Sequence, residues 1–446
     1  MPEARPAGVG AALAAVHRRA TALAREYEGG RAAVSNLELF FDLVFAFAIT
    51  QLSHALLVDL TFTGALRTAV LFFAVWWAWI YTTWVTNWID PERGANRIAI
   101  GVVMGLSLAM GCAIPTAYGA GGKAFVGAYL AVQIGRSFYS SYAMGEWRQF
   151  GRGGGSHNLL RISLWFVASA PLWLAGLATP DADARTAWWI AALAVEYAGP
   201  MARFPVPGLG RSTASDWIIA GNHMAERCAL FIIIALGEGL LITGATFAGA
   251  QGTRGLTAAF LNAFLGSFAM WWIYFDLGAR RGAEHIESHD NPGLVARQAF
   301  TYGHIPIVAG IIVLAVLDEL ALEHPLEPSA PAYVAVLGGG MALFVWGNMA
   351  FKKVTSGRPW YPLSHAVGLW LAALIAVWGL VDQPPRLALA AASTAALTTI
   401  ALWEWGSFHG GWIERMEARG WRLGTVLRQR SDRLRARREA KTAARG

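Results

Sequence analysis

The feature that most constrains this chain is a succession of apolar runs, each long enough to cross a lipid bilayer. A spanning helix needs about 20 mostly apolar residues, and about twelve such runs follow one another here. They lie near 39–59, 66–87, 97–117, 122–143, 159–178, 185–203, 223–249, 256–277, 300–320, 331–351, 362–380 and 385–408. Lipid offers no hydrogen bonds to the backbone, so each run must satisfy its own N–H and C=O groups as a helix. The expected fold is therefore all-α, a polytopic transmembrane helix bundle of about twelve spans. Composition agrees. Charged residues make up 15% of the 446 residues, against about 25% in soluble domains. The 21 Trp suit membrane–water interfaces, and the 49 Gly suit close helix packing.

The runs leave room for no soluble domain beyond the tails. The expected organisation is an N-terminal segment at 1–36, a first half at 37–203, a connection at 204–222, a second half at 223–408 and a basic tail at 409–446. The first residues do not read as a secretory leader, because a polar stretch with Arg18, Arg19, Arg25 and Arg31 precedes the first apolar run. One set of loops carries Arg93, Arg97, Arg148, Arg152, Arg203, Arg211, Arg280, Arg281, Arg297, Lys352, Lys353 and Arg358, and this set is expected to face the cytoplasm. An even number of spans then puts both termini inside. The net charge of +7 collects at the ends, and the tail holds Arg428, Arg430, Arg433, Arg435, Arg437, Arg438, Lys441 and Arg445. Such a tail points to contact with anionic lipid head groups rather than to nucleic acid. The two cysteines, Cys112 and Cys228, lie in apolar runs and imply no disulfide framework.

A weak internal repeat runs through the chain. Trp79-Ile80-Tyr81 ends the second run, and Trp272-Ile273-Tyr274 lies in the eighth. Leu164-Trp165 precedes Trp173 at the spacing by which Leu369-Trp370 precedes Trp378. Glu196-Tyr197 in the sixth run matches Glu404-Trp405 in the twelfth. The order suggests two six-helix halves in parallel orientation, a layout found in transporters. Coincidence among Trp-rich helices is the competing explanation.

Ionisable groups inside a bilayer are costly and default to functional candidates. Glu38 and Asp42 are four residues apart and share one helix face, with Ser53 close to the same stripe. They either face the bundle interior or serve a helix N-terminus whose dipole favours acids. The seventh run opens with His223, Glu226 and Arg227 and reaches Glu238, roughly 22 Å further along the axis at 1.5 Å per residue. Glu238 is thus expected near mid-membrane as an ion, proton or substrate site, with Arg227, Arg136 or Glu196 as its partner. Glu38, Asp42, His223, Glu226, Tyr274, Asp276, His304 and His365 are expected to gather at the cytoplasmic side, where neutral His beside carboxylates can relay protons. Metal chemistry is weakly signalled: His285 and His289 flank Glu287 in an order that is not a zinc-protease motif. Gly151–Gly155 lacks the Lys and Ser/Thr of a phosphate loop. No cofactor is implied.

These residues resemble the bacterial low-temperature-requirement A (LtrA) family. The resemblance rests on the Glu38–Asp42 stretch continuing to Thr50-Gln51-Leu52-Ser53-His54. It rests also on His223-x-x-Glu226-Arg227 with Leu236-Gly237-Glu238, and on Trp271-Trp272-Ile273-Tyr274-Phe275-Asp276. Members usually carry Ser where this chain has Gly239. The resemblance implies a multipass protein of the bacterial inner membrane, linked by name to growth in the cold, without a defined molecular activity. Phe41–Thr50 is also similar to the first-helix F-S-D motif of lysosomal-type potassium channels, with Phe40-Phe41-Asp42 in place of that triplet. Three functions fit: a transporter or channel-like protein for a small solute or ion, with proton coupling as an option; an intramembrane enzyme acting on a lipid or isoprenoid, with His223 and Glu226 as acid and base; or a non-catalytic membrane stress protein.

Overall fold

The computed structural model describes residues 23–25, 34–149, 157–217, 220–249, 255–276, 292–356, 361–408, 411–422, 425–426 and 428–429. The main helices are α1 (Asn36–Val58), α2 (Phe62–Trp88), α3 (Gly94–Ala113), α4 (Gly122–Leu130), α5 (Arg136–Ala143), α6 (Asn158–Ala178) and α7 (Ala182–Ala202). There follow α8 (Gly221–Gly249), α9 (Leu256–Phe275), α10 (His304–Glu323), α11 (Pro331–Ser356), α12 (Leu363–Asp382) and α13 (Arg386–Phe408). Among the described residues ten helices are long and apolar enough to cross a membrane: α1, α2, α3, α6 and α8 to α13.

The other two apolar runs are also helical but differ in kind. The run at 122–143 forms α4 and α5 around a π-turn at Ala131–Gly135. The run at 185–203 forms α7, which carries Asp183, Arg185 and Glu196 and has Pro200 in its last turn. A π-turn breaks the regular ladder, and charged side chains lower the apolarity, so neither matches a simple lipid-exposed span.

Helix ends follow local chemistry. Ser35 and Glu38 form a reciprocal capping box at α1, with Glu38 N donating to Ser35 Oγ at 3.3 Å and Ser35 N donating to Glu38 Oε2 at 2.9 Å. Thr61 caps α2 by accepting from Gly64 N, and Asp181 caps α7 by accepting from Ala184 N. The α10–α11 contact depends on close backbone approach. A Cβ on Gly310 would lie 2.5 Å from Phe344 N, and one on Gly347 would lie 2.8 Å from Ile307 N.

α2 is the axial helix, with every residue from Ala74 to Asn87 buried. Its tryptophans depart from the interfacial role expected of Trp. Trp76, Trp77 and Trp79 are buried inside the protein. Three indole N–H groups find acceptors, Trp76 donating to Thr301 O at 2.9 Å, Trp79 to Asp42 Oδ1 at 2.7 Å and Trp84 to Thr301 Oγ1 at 2.9 Å, while Trp77 stacks on the Tyr197 ring and its Nε1 has no hydrogen-bond partner among the described residues. Around α2, α1 packs on α2 and α3, while α8 packs on α9 and α10; α1 and α8 also meet each other. In the first half α4 packs on α3 and α6, α6 on α7, and α7 on α2. In the second, α11 packs on α10 and α12, α12 on α13, and α13 on α9.

Candidate functional site

Three helices end or begin at one buried point. α1 brings Glu38 and Asp42, α2 brings Trp79, Thr86 and Asn87, and α8 brings His223 and Arg227. Arg227 and Asp42 are fully buried. The guanidinium grips Asp42 with both edges, Nη2 to Oδ1 at 2.6 Å and Nε to Oδ2 at 3.2 Å. Its other nitrogen reaches Glu38 Oε1 at 3.0 Å and Thr86 Oγ1 at 3.2 Å. Such a fork gives geometry as well as charge balance. A second guanidinium enters from before α1. Residues 23–25 lie along the α2–α3 corner, where Arg25 N donates to Trp88 O at 2.9 Å and Asp90 N donates to Leu23 O at 3.0 Å. Arg25 Nη1 then donates to Thr86 O at 2.6 Å and approaches Glu38 Oε1 at 3.4 Å. Two carboxylates thus face two guanidiniums, which is how buried charges are tolerated.

The tautomer of His223 follows from its neighbour. Asn87 Oδ1 accepts from the Ala220 backbone N–H at 3.1 Å, which fixes the orientation of the amide. Asn87 Nδ2 therefore donates to His223 Nδ1 at 3.1 Å, and Nδ1 carries no proton. The ring proton is on Nε2, 2.8 Å from Glu38 Oε1. Arg25 Nη1, 3.0 Å from the same Nε2, is then a close neighbour of an N–H and not its hydrogen-bond donor. Asn87 holds His223 as a neutral donor to Glu38.

Glu238 is elsewhere. It sits half-buried further along α8, and its hydrogen-bond partner among the described residues is the Thr50 hydroxyl on α1. Arg227, expected as its charge partner, is taken by Asp42 and Glu38 at the helix start. Arg136 and Glu196 belong to a separate cluster between α4, α5, α6 and α7. Glu196 accepts from the Tyr129 hydroxyl, from Ser169 Oγ at 2.7 Å and from Trp173 Nε1 at 2.9 Å. Arg136 donates to Ala78 O at 3.0 Å, Thr82 Oγ1 at 3.1 Å and Gln133 Oε1 at 2.5 Å. Gln133 Nε2 donates to Tyr129 at 3.0 Å, so a neutral relay joins the cation to the carboxylate.

The expected cytoplasmic-side group also divides. Glu38, Asp42 and His223 meet, while Glu226 is exposed beside them, close enough to feel the charges of Glu38 and Arg25 and accepting from the Val34 backbone N–H. Tyr274 pairs with His304 in its own buried contact at 2.8 Å. There the His304 Nδ1 faces the Ala299 carbonyl at 2.9 Å and must carry the proton, so Tyr274 donates to Nε2. Asp276 closes α9. His365 belongs with Glu404. The loop with His285, Glu287 and His289, the Gly151–Gly155 stretch and the tail from Arg430 lie outside the described residues. No cluster of metal-ligating groups occurs among the described residues.

Sequence reasoning missed Arg25, Trp79, Thr86 and Asn87 as members of the network. Their only sequence signal was polarity inside or beside an apolar run, since they meet Glu38 and His223 across long sequence separations. The family model described as bacterial low temperature requirement A protein (LtrA) matches residues 33–402. The chain is also 38% identical over 371 residues to the uncharacterized protein RA0937 of Rhizobium meliloti (strain 1021), covering 82% of this chain and 88% of that protein. No solved structure matches the chain significantly. With ten membrane-length helices and a family match over most of its length, the chain belongs to the bacterial low temperature requirement A family and is an integral membrane protein.

Proposed function

We propose that this protein is a transporter or channel-like protein of the bacterial inner membrane that moves protons or a small cation along the seam between α1 and α8. The observation that carries this reading is the Thr50–Glu238 contact. Glu238 is an ionisable group well inside a spanning helix, with a hydroxyl and no cation as its partner among the described residues. A carboxylate so placed is a proton or cation site by default. The network of Glu38, Asp42, His223, Arg227 and Arg25 closes the cytoplasmic end of the same seam. Its charges are already balanced, so passage requires it to open.

A two-half architecture of twelve spans supports the same reading. Thr50 and Glu238 are 188 residues apart. Glu38 and Glu226 have the same separation, because 226 − 38 = 188. The seam therefore joins equivalent positions on the first helix of each half. The neighbour pairs repeat as well: first with second and third helix, third with fourth, fourth with fifth, fifth with sixth, and second with sixth. Transporters place binding sites at such repeat interfaces near the bilayer midplane. In this orientation both termini are cytoplasmic, and the basic tail contacts anionic lipid.

The geometry does not favour His223 and Glu226 as an acid–base pair, since His223 is buried with its Nε2 on Glu38 while Glu226 is exposed and has no hydrogen bond to His223 among the described residues. The test is proton and cation flux in proteoliposomes. Flux should require the protein and fall by about tenfold or more in Glu238→Gln, the loss of one essential group. Flux that survives the substitution unchanged would remove Glu238 from the path, and absence of flux for protons and small cations would overturn the reading.

A further inference from the structure

The last helix of each half carries a buried glutamate, Glu196 on α7 and Glu404 on α13. In both cases the fourth and fifth helices of that half supply the contacts. Glu196 is met by Tyr129 from α4 and by Ser169 and Trp173 from α6. Glu404 is met by Lys352 from α11 and by Ser364 Oγ at 3.5 Å from α12, and His365 Nδ1 hydrogen-bonds Ser364 Oγ at 3.2 Å and lies 3.3 Å from Glu404 Oε1. The chemistry of the two sites differs. In the second half a cation contacts the carboxylate directly, and Lys352 Nζ also donates to the Ile273 carbonyl at 2.7 Å. His365 is fully buried, and its Nε2 has no hydrogen-bond partner among the described residues. A buried imidazole with one nitrogen held by a hydroxyl beside a carboxylate and the other unpaired is costly unless that nitrogen has a use.

We propose that Lys352, Glu404 and His365 form a second proton-binding site, distinct from Glu238, in which His365 delivers the proton and Glu404 stores it. With Ser364 Oγ donating to Glu404 Oε1 and His365 Nδ1–H donating to Ser364 Oγ, the bare Nε2 is the acceptor. Hydronium gives a proton to Nε2 and leaves water, the imidazolium passes its Nδ1 proton to Ser364 Oγ, and Ser364 passes its own hydroxyl proton to Glu404 Oε1. Glu404 becomes a neutral carboxylic acid, and His365 returns to neutrality with its remaining proton on Nε2. The Lys352–Glu404 ion pair opens, and Lys352 stays charged on the Ile273 carbonyl. The site gains one proton and one positive charge. The other ionisable groups on the packed helices are otherwise engaged or further along: Tyr274 on α9 bonds His304 on α10, Asp276 ends α9, Lys353 lies over the Tyr361 ring at 3.9 Å, and Arg415 beyond α13 lies over the Trp405 ring at 4.1 Å.

This inference deepens the transport reading by naming where a coupling proton is held, and its test needs no flux. Infrared difference spectra of the full-length protein in nanodiscs, between about pH 8 and about pH 5, bracket the range in which imidazole exchanges protons. A carboxylic C=O band should appear at low pH in the wild type and be missing in Glu404→Gln. His365→Gln should delay the band after a pH jump by about tenfold or more while leaving its final amplitude, as expected for loss of a proton-transfer group. Lys352→Met keeps the carboxylate and removes the cation, so the band should already be present at about pH 8. It keeps the test decisive if Glu404→Gln does not fold. Identical difference spectra in wild type and Glu404→Gln would overturn the proposal, as would a Lys352→Met protein whose spectrum matches the wild type. Either result would leave the Glu238 flux experiment to stand or fall alone.

Discussion

Glu38 and Glu196 are buried to 1% and 2% exposure, yet the protein holds them in opposite ways. Glu38 touches Arg227, Arg25 and His223 directly and shares its main cation with Asp42. Among the described residues Glu196 touches only neutral donors, and Arg136 reaches it through Gln133 and Tyr129. The first arrangement is rigid, because each member's charge is cancelled by a specific partner. The second spreads its stabilisation over hydroxyl, indole and amide groups that serve a protonated or an ionised carboxyl alike. Helices meeting at the α1–α8 seam are thus locked by charge, whereas the α4–α7 group is tied by an adaptable network.

The largest effect that would test this contrast comes from the locked side. Arg227→Met leaves Glu38 and Asp42 buried without their shared cation, and should cost about 3–5 kcal/mol of stability. Unfolding of the purified protein in detergent measures it. A loss under about 1 kcal/mol, typical of an exposed ion pair, would dissolve the contrast.

Next comes a third carboxylate, Glu146, which lies between α5 and α6 outside the spans and resembles Glu196 in having mostly neutral donors. It accepts from Leu159 N at 3.0 Å, Leu160 N at 2.8 Å and Ser141 Oγ at 3.0 Å. Burial pushes its pKa up from the ordinary 4.5 to about 7. Between those values the folded state binds more proton than the unfolded state. Its contribution is therefore fully present below about pH 4.5 and is lost as pH rises through about 7, by on the order of 3 kcal/mol. Stability measured across that window should fall with rising pH in the wild type, and Glu146→Gln should flatten the slope. An unchanged slope would assign the pH dependence to other groups.

The smallest effect belongs to the adaptable network. In Glu196→Gln the amide oxygen still accepts from Ser169 and Trp173, and one neutral hydrogen bond is the expected loss, about 1 kcal/mol. A loss as large as that of Arg227→Met would mean that Arg136 depends on the Glu196 charge as closely as Arg227 depends on Asp42.

Much of the fold was legible in the residues themselves. Each apolar run became helical because lipid leaves the backbone no other partner, and Glu38 beside the first run was one of the acids that a helix N-terminus favours. Legibility ended at α4–α5 and α7, where a π-turn and buried charges blur the apolar signal. The candidate site was legible only as a set of polar residues in the wrong solvent. Arg227 and Glu238 share one helix, which made them natural partners in sequence, but they serve different neighbours. Trp79 read as an interfacial aromatic because nothing local reveals an acceptor as far along the chain as Asp42.

What the sequence by itself determined is therefore the helical character and the apolar solvent of the segments, since these depend on hydrophobicity and backbone satisfaction within about 20 residues, whereas ten and not twelve of them are of membrane-crossing length and apolarity among the described residues. Only the tertiary structure decided which charges meet. Glu38 and His223 are 185 residues apart, as are Asp42 and Arg227. Their pairing depends on how α1, α2 and α8 pack and rotate against one another, and a buried charge accepts whichever partner that packing delivers.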